Sequence, residues 1–242
     1  MQRGEKMKLS DQIIDELHLL KDEKIAEHSQ RFFKTGKGQY GEGDIFLGIR
    51  VPILRHVSKK YKSIPLDEVK VLIYSKYHEV RLISLYLLVL MFKKSKTDEQ
   101  QKEIYDFYLM HAKQVNNWDL VDSSAHYIVG PYLMNKDRSV LFEFAISNNL
   151  WERRIAMMST FHFIKNMDFG DALQIAEILL HDDHDLIHKS VGWMLREIGN
   201  RNKEVEEEFL INHYKSMPRT MLRYAIEKFP KEERKEYLAG RK

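Results

Sequence analysis

The sequence predicts an all-α chain, folded as an α-solenoid of HEAT-like two-helix repeats. Three observations predict it. Apolar residues recur at helical spacing along nearly the whole chain, and strand-like alternation is scarce. Only five prolines and eleven glycines interrupt the 242 residues. A pattern also returns at helix starts: Val80-Arg81-Leu82-Ile83-Ser84, Trp118-Asp119-Leu120-Val121-Asp122, Arg153-Arg154-Ile155-Ala156 and His188-Lys189-Ser190-Val191. These lie about 34 to 38 residues apart, and Leu222 falls at the next interval. Two helices per unit would bury one row and present another along a concave groove, which holds something elongated: a peptide, a helix or a nucleic acid. No linker divides the chain, so residues 1–242 read as one domain.

Taken in order, residues 1–8 are polar and expected to fray. Ser10 is placed to cap a helix carrying Ile13, Ile14, Leu17 and Leu20. Lys24 to Lys34 continues helical and stops at Thr35-Gly36-Lys37-Gly38-Gln39-Tyr40-Gly41-Glu42-Gly43-Asp44. Its glycines invite a phosphate-loop reading, but the Walker spacing is absent and a tight surface loop is the plainer account. Phe46-Leu47-Gly48-Ile49-Arg50-Val51-Pro52 leads into a helix for which Pro52 is a good first-turn residue, flanked by Arg50 and Arg55. Helices follow over 66–74, 80–92, 99–112, 118–133, 139–145, 151–164, 172–180, 186–198, 204–214 and 218–228. The Glu204 to Glu208 run reads as a charged surface face.

Composition narrows the chemistry. Thirty-nine basic against 36 acidic residues leave a net charge of +3, compatible with nucleic acid without indicating it. The absence of cysteine excludes disulfides, thiolate nucleophiles and zinc-thiolate or iron–sulfur sites. No apolar run approaches the roughly 20 residues of a membrane span, and the charged N-terminus lacks a signal-peptide core. A soluble, cytoplasmic protein is expected, nucleoid-associated if bacterial.

Asp122 is the residue out of place. It lies between Val121 and Ala125 in a run leading to Ile128 and Val129, and an unpaired buried carboxylate costs several kcal/mol. Asp122 therefore has a partner, lies in a wet cleft, bonds backbone amides near a helix start, or serves chemistry. Trp118 stands four residues earlier and shares its helix face. Asn116 and Asn117 are candidate caps, with Asp119 in the first turn. Trp118 and Trp193 both fall on second helices of their repeats, the row expected to face the groove, where indoles attract cations and stack on bases. Arg153 and Arg154 form either a solvated pair with Glu152 or a phosphate contact. Lys37, Arg50, Arg81, Lys189 and Arg196 would extend a stripe that tracks a phosphate backbone. His181-Asp182-Asp183-His184-Asp185-Leu186-Ile187-His188 has histidines four apart but no metalloprotease glutamate, and reads as a capped turn.

Together these blocks resemble the AlkD-type DNA alkylation repair glycosylases, which are built from HEAT-like repeats. The resemblance runs over most of the chain, through 34–44, 46–52, Asn117 to Asp122, Asn149-Leu150-Trp151-Glu152-Arg153-Arg154, and Gly192-Trp193-Met194-Leu195-Arg196-Glu197. It implies that Asp122 is the catalytic aspartate, Trp118 and Trp193 the cleft tryptophans, and Arg154 the cleft arginine. Asn117 stands where some members carry a further aromatic, and the glycine-rich loop marks one branch of the family.

The implied reaction is hydrolysis of the N-glycosidic bond of a cationic alkylated purine, of the N3-methyladenine or N7-methylguanine type, in duplex DNA. A carboxylate beside the sugar stabilises its oxocarbenium-like charge and positions water. The family's groove is thought to act from the backbone side without a base pocket. No lysine adjoins Trp118–Asp122, which argues against an imine-forming lyase. A monomer without a cofactor suffices. Two other readings stay open: a non-catalytic HEAT-like module for bent or branched DNA, which gains nothing from a groove carboxylate, and a HEAT-like protein scaffold.

Overall fold

The computed structural model describes residues 7–242. Of the N-terminal stretch expected to fray, residues 1–6 lie outside the described residues. The described residues form fifteen α-helices and two 3-10 turns, and their β-type pairing is an isolated bridge between Ile45 and Tyr77. The all-α expectation holds. The chain divides into two compact units, Met1–Ser124 and Ala125–Lys242.

In the first unit the helices are α1 (Leu9–Leu19), α2 (Glu23–Phe32), α3 (Val51–Lys60), α4 (Leu66–Ile73), α5 (His78–Lys94), α6 (Asp98–Met110) and α7 (Trp118–Asp122). Helix α5 is the hub, with α3, α4, α6 and α7 packed against it. Every residue from His78 to Val89 is buried, the apolar Leu82–Val89 stretch together with the polar His78, Glu79, Arg81 and Ser84. The segment between α2 and α3 is pinned to this hub. Glu79 accepts the amide hydrogens of Leu47, Gly48 and Ile49 at 2.8 to 3.2 Å. Gly48 has φ +81°, and a Cβ there would lie 2.0 Å from the Asp22 carbonyl oxygen, so α2 approaches this segment only because residue 48 is glycine.

The second unit contains α8 (Ala125–Leu133), α9 (Ser139–Ala145), α10 (Leu150–Lys165), α11 (Gly170–Ile178), α12 (Asp185–Gly199), α13 (Lys203–His213), α14 (Arg219–Ala225) and α15 (Lys231–Leu238). Helices α8, α10, α12 and α14 pack in succession as one row. The other row is α9, α11 and α13, set against α10 and α12. This is the two-helix repeat read from the sequence. The first row packs tightly: a Cβ on Gly192 of α12 would lie 2.4 Å from the Met221 carbonyl oxygen of α14.

Three elements differ from expectation. The helix expected over 118–133 breaks at Ser123-Ser124, because the Ser124 hydroxyl donates to the Leu120 carbonyl at 2.6 Å and lies 3.0 Å from the Tyr108 hydroxyl. Helix α15, charged and sparsely apolar, was not expected, and its Tyr237 is buried. Glu206, read as part of a charged surface, is buried against Gly199.

Candidate functional site

Helix α7 carries the candidate carboxylate and one candidate indole, and it is only five residues long. A helix that short has too few internal hydrogen bonds to hold itself, and its fixity comes from outside. The fully buried Asn117 accepts the Trp118 amide hydrogen through Oδ1 at 2.8 Å, so the expected cap is present. Its Nδ2 donates to Asp44 Oδ2 at 3.0 Å, 73 residues away in the chain. Asp119, in the first turn, reaches His78. Asp122 is half-buried at the opposite end of α7. It is therefore set apart from the helix-start amides of α7 itself. Burial pushes the Tyr108 phenol up, and the Asp122 charge adds to the effect against the hydrogen bond with Ser124.

Behind α7 lies a buried ionic cluster. His78 Nδ1 is 3.1 Å from Asp44 Oδ2, and Nε2 is 2.8 Å from Asp119 Oδ2. Ionised carboxylates only accept, so a ring facing one at each nitrogen carries both protons. Burial opposes that charge, but the Asp119 carboxylate, its hydrogen bond and Asp44 outweigh it and push His78 up to about 9. Burial likewise opposes the Asp44 charge, yet the His78 hydrogen bond and the Arg81 charge hold its carboxyl below the usual range. Arg81 pairs with Asp44 and donates to the Ser75 carbonyl. Two cations thus meet two anions. Asp119 Oδ1 is buried without a hydrogen-bond partner.

An aromatic pile links this cluster to Trp118. The indole stacks on Phe33 at 5.3 Å and 15°, Phe33 on Phe46 at 4.9 Å and 23°, and Phe46 on the His78 ring at 4.5 Å and 24°. Phe32, 58% exposed, meets Trp118 edge-on at 6.0 Å.

The remaining expected residues fall in varied surroundings. Lys37 and Arg50 are exposed. Arg81 is 4% exposed and engaged with Asp44, which corrects its place on a phosphate-tracking stripe: the guanidinium braces the glycine-rich segment instead. Arg153 donates to Asp182 at 2.6 Å and to the Ser147 carbonyl. Arg154, on α10, is buried, and its guanidinium donates to the Leu186 carbonyl at the start of α12. Lys189 pairs with Asp185, and Arg196 with Glu227. Trp193, half-buried on α12, donates from Nε1 to Glu197 at 3.2 Å and lies 6.1 Å from the Phe161 ring. Trp118 and Asp122 thus stand together in the first unit, and Arg154 and Trp193 belong to the second.

The glycine-rich segment spends its amides internally. Gly36 N–H goes to the Gln39 side chain and Gly38 N–H to Glu42, the pattern of a self-closed turn rather than a phosphate cradle. His184 accepts the Leu186 amide hydrogen and so caps α12. Among the described residues no group of three or more His, Asp or Glu is arranged to hold a metal. His78, Asp44 and Phe33 went unnoticed in the sequence. The signal was faint: a histidine just before an apolar run, and an aspartate closing a glycine-rich loop.

A family model described as DNA alkylation repair enzyme matches residues 13–229. No curated protein matches the chain significantly. Among solved structures, one described as a predicted DNA alkylation repair enzyme from Enterococcus faecalis is 16% identical with a TM-score of 0.69, covering 87% of this chain and 97% of its own. AlkD2 from Streptococcus mutans is 16% identical with a TM-score of 0.54, over 92% and 97% respectively. At such identities the likeness is one of fold.

Proposed function

From a chain that belongs to the DNA alkylation repair enzyme family, we propose a monofunctional glycosylase that hydrolyses the N-glycosidic bond of cationic alkylated purines in duplex DNA. N3-methyladenine and N7-methylguanine represent the class. The observation that carries this reading is the Asp122 carboxylate, half-buried at the closing end of α7 and on the helix face of Trp118.

An N-alkylated purine is already positively charged and leaves as a neutral base, so no general acid is needed to protonate it. The demand falls on the sugar, which gains oxocarbenium character as the bond lengthens. A fixed carboxylate lowers that barrier through charge, and the same oxygen orients the water that attacks the anomeric carbon. Trp118 offers an indole face to the cationic nucleotide or its deoxyribose, and Trp193 is assigned the same kind of contact. Arg154 is assigned to phosphate, its fork oriented by the bond to Leu186, with Arg153, Lys189 and Arg196 as further backbone contacts whose present ion pairs would have to exchange. Exposed Lys37 and Arg50 are assigned to the flanking backbone. Arg81, its guanidinium paired with the buried Asp44 and the Ser75 carbonyl, receives no DNA contact. The protein acts in the cytoplasm as a monomer and without a cofactor. Among the described residues no helix is long and apolar enough to cross a membrane.

The test is release of free methylated purine from methylated duplex DNA, wild type beside Asp122→Asn. Release should fall at least about 100-fold in the variant, on the scale of losing one preorganised electrostatic group, while DNA binding is kept or tightened. Salt-dependent DNA binding with no release from either protein favours the non-catalytic module. Neither release nor binding leaves the scaffold.

A further inference from the structure

We propose that His78, Asp44 and Asn117 are positioning residues for α7, fixing the Trp118 indole and the register of Asp122, and that they do so only while the His78 ring carries both protons. The inference rests on the glycosylase reading for its consequence in catalysis, but not for its structural content.

Every tether described at the N-terminal end of α7 runs to this cluster. Asn117 holds the Trp118 amide on one side and Asp44 on the other. Asp119 is held by His78 Nε2, and the same ring grips Asp44 through Nδ1. The Trp118 plane is set by Phe33, which rests on Phe46, which rests on His78. Asp122 follows one helical turn after Trp118, so a shift at the start of so short a helix is passed to its end.

A neutral imidazole has one N–H and one lone pair. It can serve Asp44 or Asp119, and whichever carboxylate loses its donor then faces a lone pair at about 3 Å. The buried charge also becomes uneven. The groups facing His78 are Asp44 from the loop and Asp119 from α7, with Arg81 of its own helix paired to Asp44. Glu79 is turned away to the amides of Leu47, Gly48 and Ile49. His18 of α1 lies edge-on to Tyr77, the residue before His78. Loss of the proton leaves two carboxylates against Arg81 alone, in a site where uncompensated charge is costly. The Asp119 side then gives first, because Arg81 and Asn117 still hold Asp44.

The experiment follows Trp118 directly, by 19F NMR of the full-length protein labelled with 5-fluorotryptophan and titrated from pH 6 to 9.5 without DNA. The Trp118 resonance is assigned by its loss in Trp118→Phe. It should move in one step with a midpoint near the His78 value of about 9, while the Trp151 and Trp193 resonances stay still. Asp119→Asn removes one of the charges that keep the ring protonated and preserves the side-chain shape. It should shift the midpoint down by at least about one pH unit, and the alkaline limb of single-turnover excision should shift with it. A Trp118 resonance that is flat across the range, or a midpoint unmoved in Asp119→Asn, overturns the proposal. A moving resonance in a protein that excises nothing upholds the positioning and sinks the glycosylase reading alone.

Discussion

At the scale of single residues, charge alone says little about which side chains can meet DNA. Six basic residues were read from the sequence as backbone contacts, and Arg81 has its guanidinium against Asp44 inside the first unit. Arg50 is exposed at the start of α3, where an arginine can reach phosphate without breaking a buried pair. Arg50→Ala should weaken DNA binding about equally for methylated and unmodified duplexes. It should also reduce the slope of log affinity against log salt by about 0.9, the value for one phosphate contact. Binding isotherms over a range of salt concentrations measure both. An unchanged slope takes Arg50 out of the interface.

At the scale of elements, the glycine-rich segment and α7 support each other across the chain. Gly48 and Gly38 separate two reasons for a glycine. Both have positive φ, but a Cβ on Gly38 meets nothing within 4 Å, whereas one on Gly48 runs into the Asp22 carbonyl and the Ala26 nitrogen. Gly38→Ala should cost only the backbone strain, about 1 kcal/mol. Gly48→Ala should cost roughly 3 kcal/mol or more, because α2 must back away. Chemical denaturation of the two variants tests this, and equal losses defeat it. The elements themselves were legible because helical periodicity is written locally: the apolar run from Leu82 to Phe92 marks α5, and Asn117 announces a helix start. What tertiary contact decides was not legible. The break after Asp122 depends on Tyr108 meeting Ser124, and the partners of His78 lie 34 and 41 residues away. Of the candidate site, the residue types at α7 could be read from their spacing, but the cluster behind them could not.

At the scale of the whole molecule, three buried groups set the pH profile of stability. His78 is raised from 6.5 to about 9, so its contribution is complete below pH 6.5 and disappears as pH climbs through 9. Glu206 is raised to about 8, chiefly by burial, with Glu207 adding to it and Lys203 and Arg196 opposing. The folded protein keeps that proton between pH 4.5 and 8 while the unfolded chain releases it, so stability falls across this window by an amount on the order of a few kcal/mol. Asp44 is lowered, and its contribution is lost as pH drops below the ordinary carboxylate value of 3.8. Thermal stability should therefore peak near pH 4 to 4.5 and decline on both sides. Glu206→Gln should flatten the decline between pH 4.5 and 6.5 and leave the His78 decline between pH 6.5 and 9. Calorimetry from pH 3 to 10 decides it, and a peak at pH 8 or an unaltered slope in the variant contradicts these assignments.

The stacking of Phe33 on Trp118 has a steric corollary. An indole with a ring seated at 5.3 Å on one face has a single face left to offer. Intercalation requires both faces, so with Phe33 in place this tryptophan cannot slide between base pairs as a wedge. A one-sided platform meets a nucleotide from outside the helix. Under the glycosylase reading proposed above, such a platform would respond to positive charge and leave the far edge of the base unmeasured, so lesions of the same charge and different bulk should be handled alike.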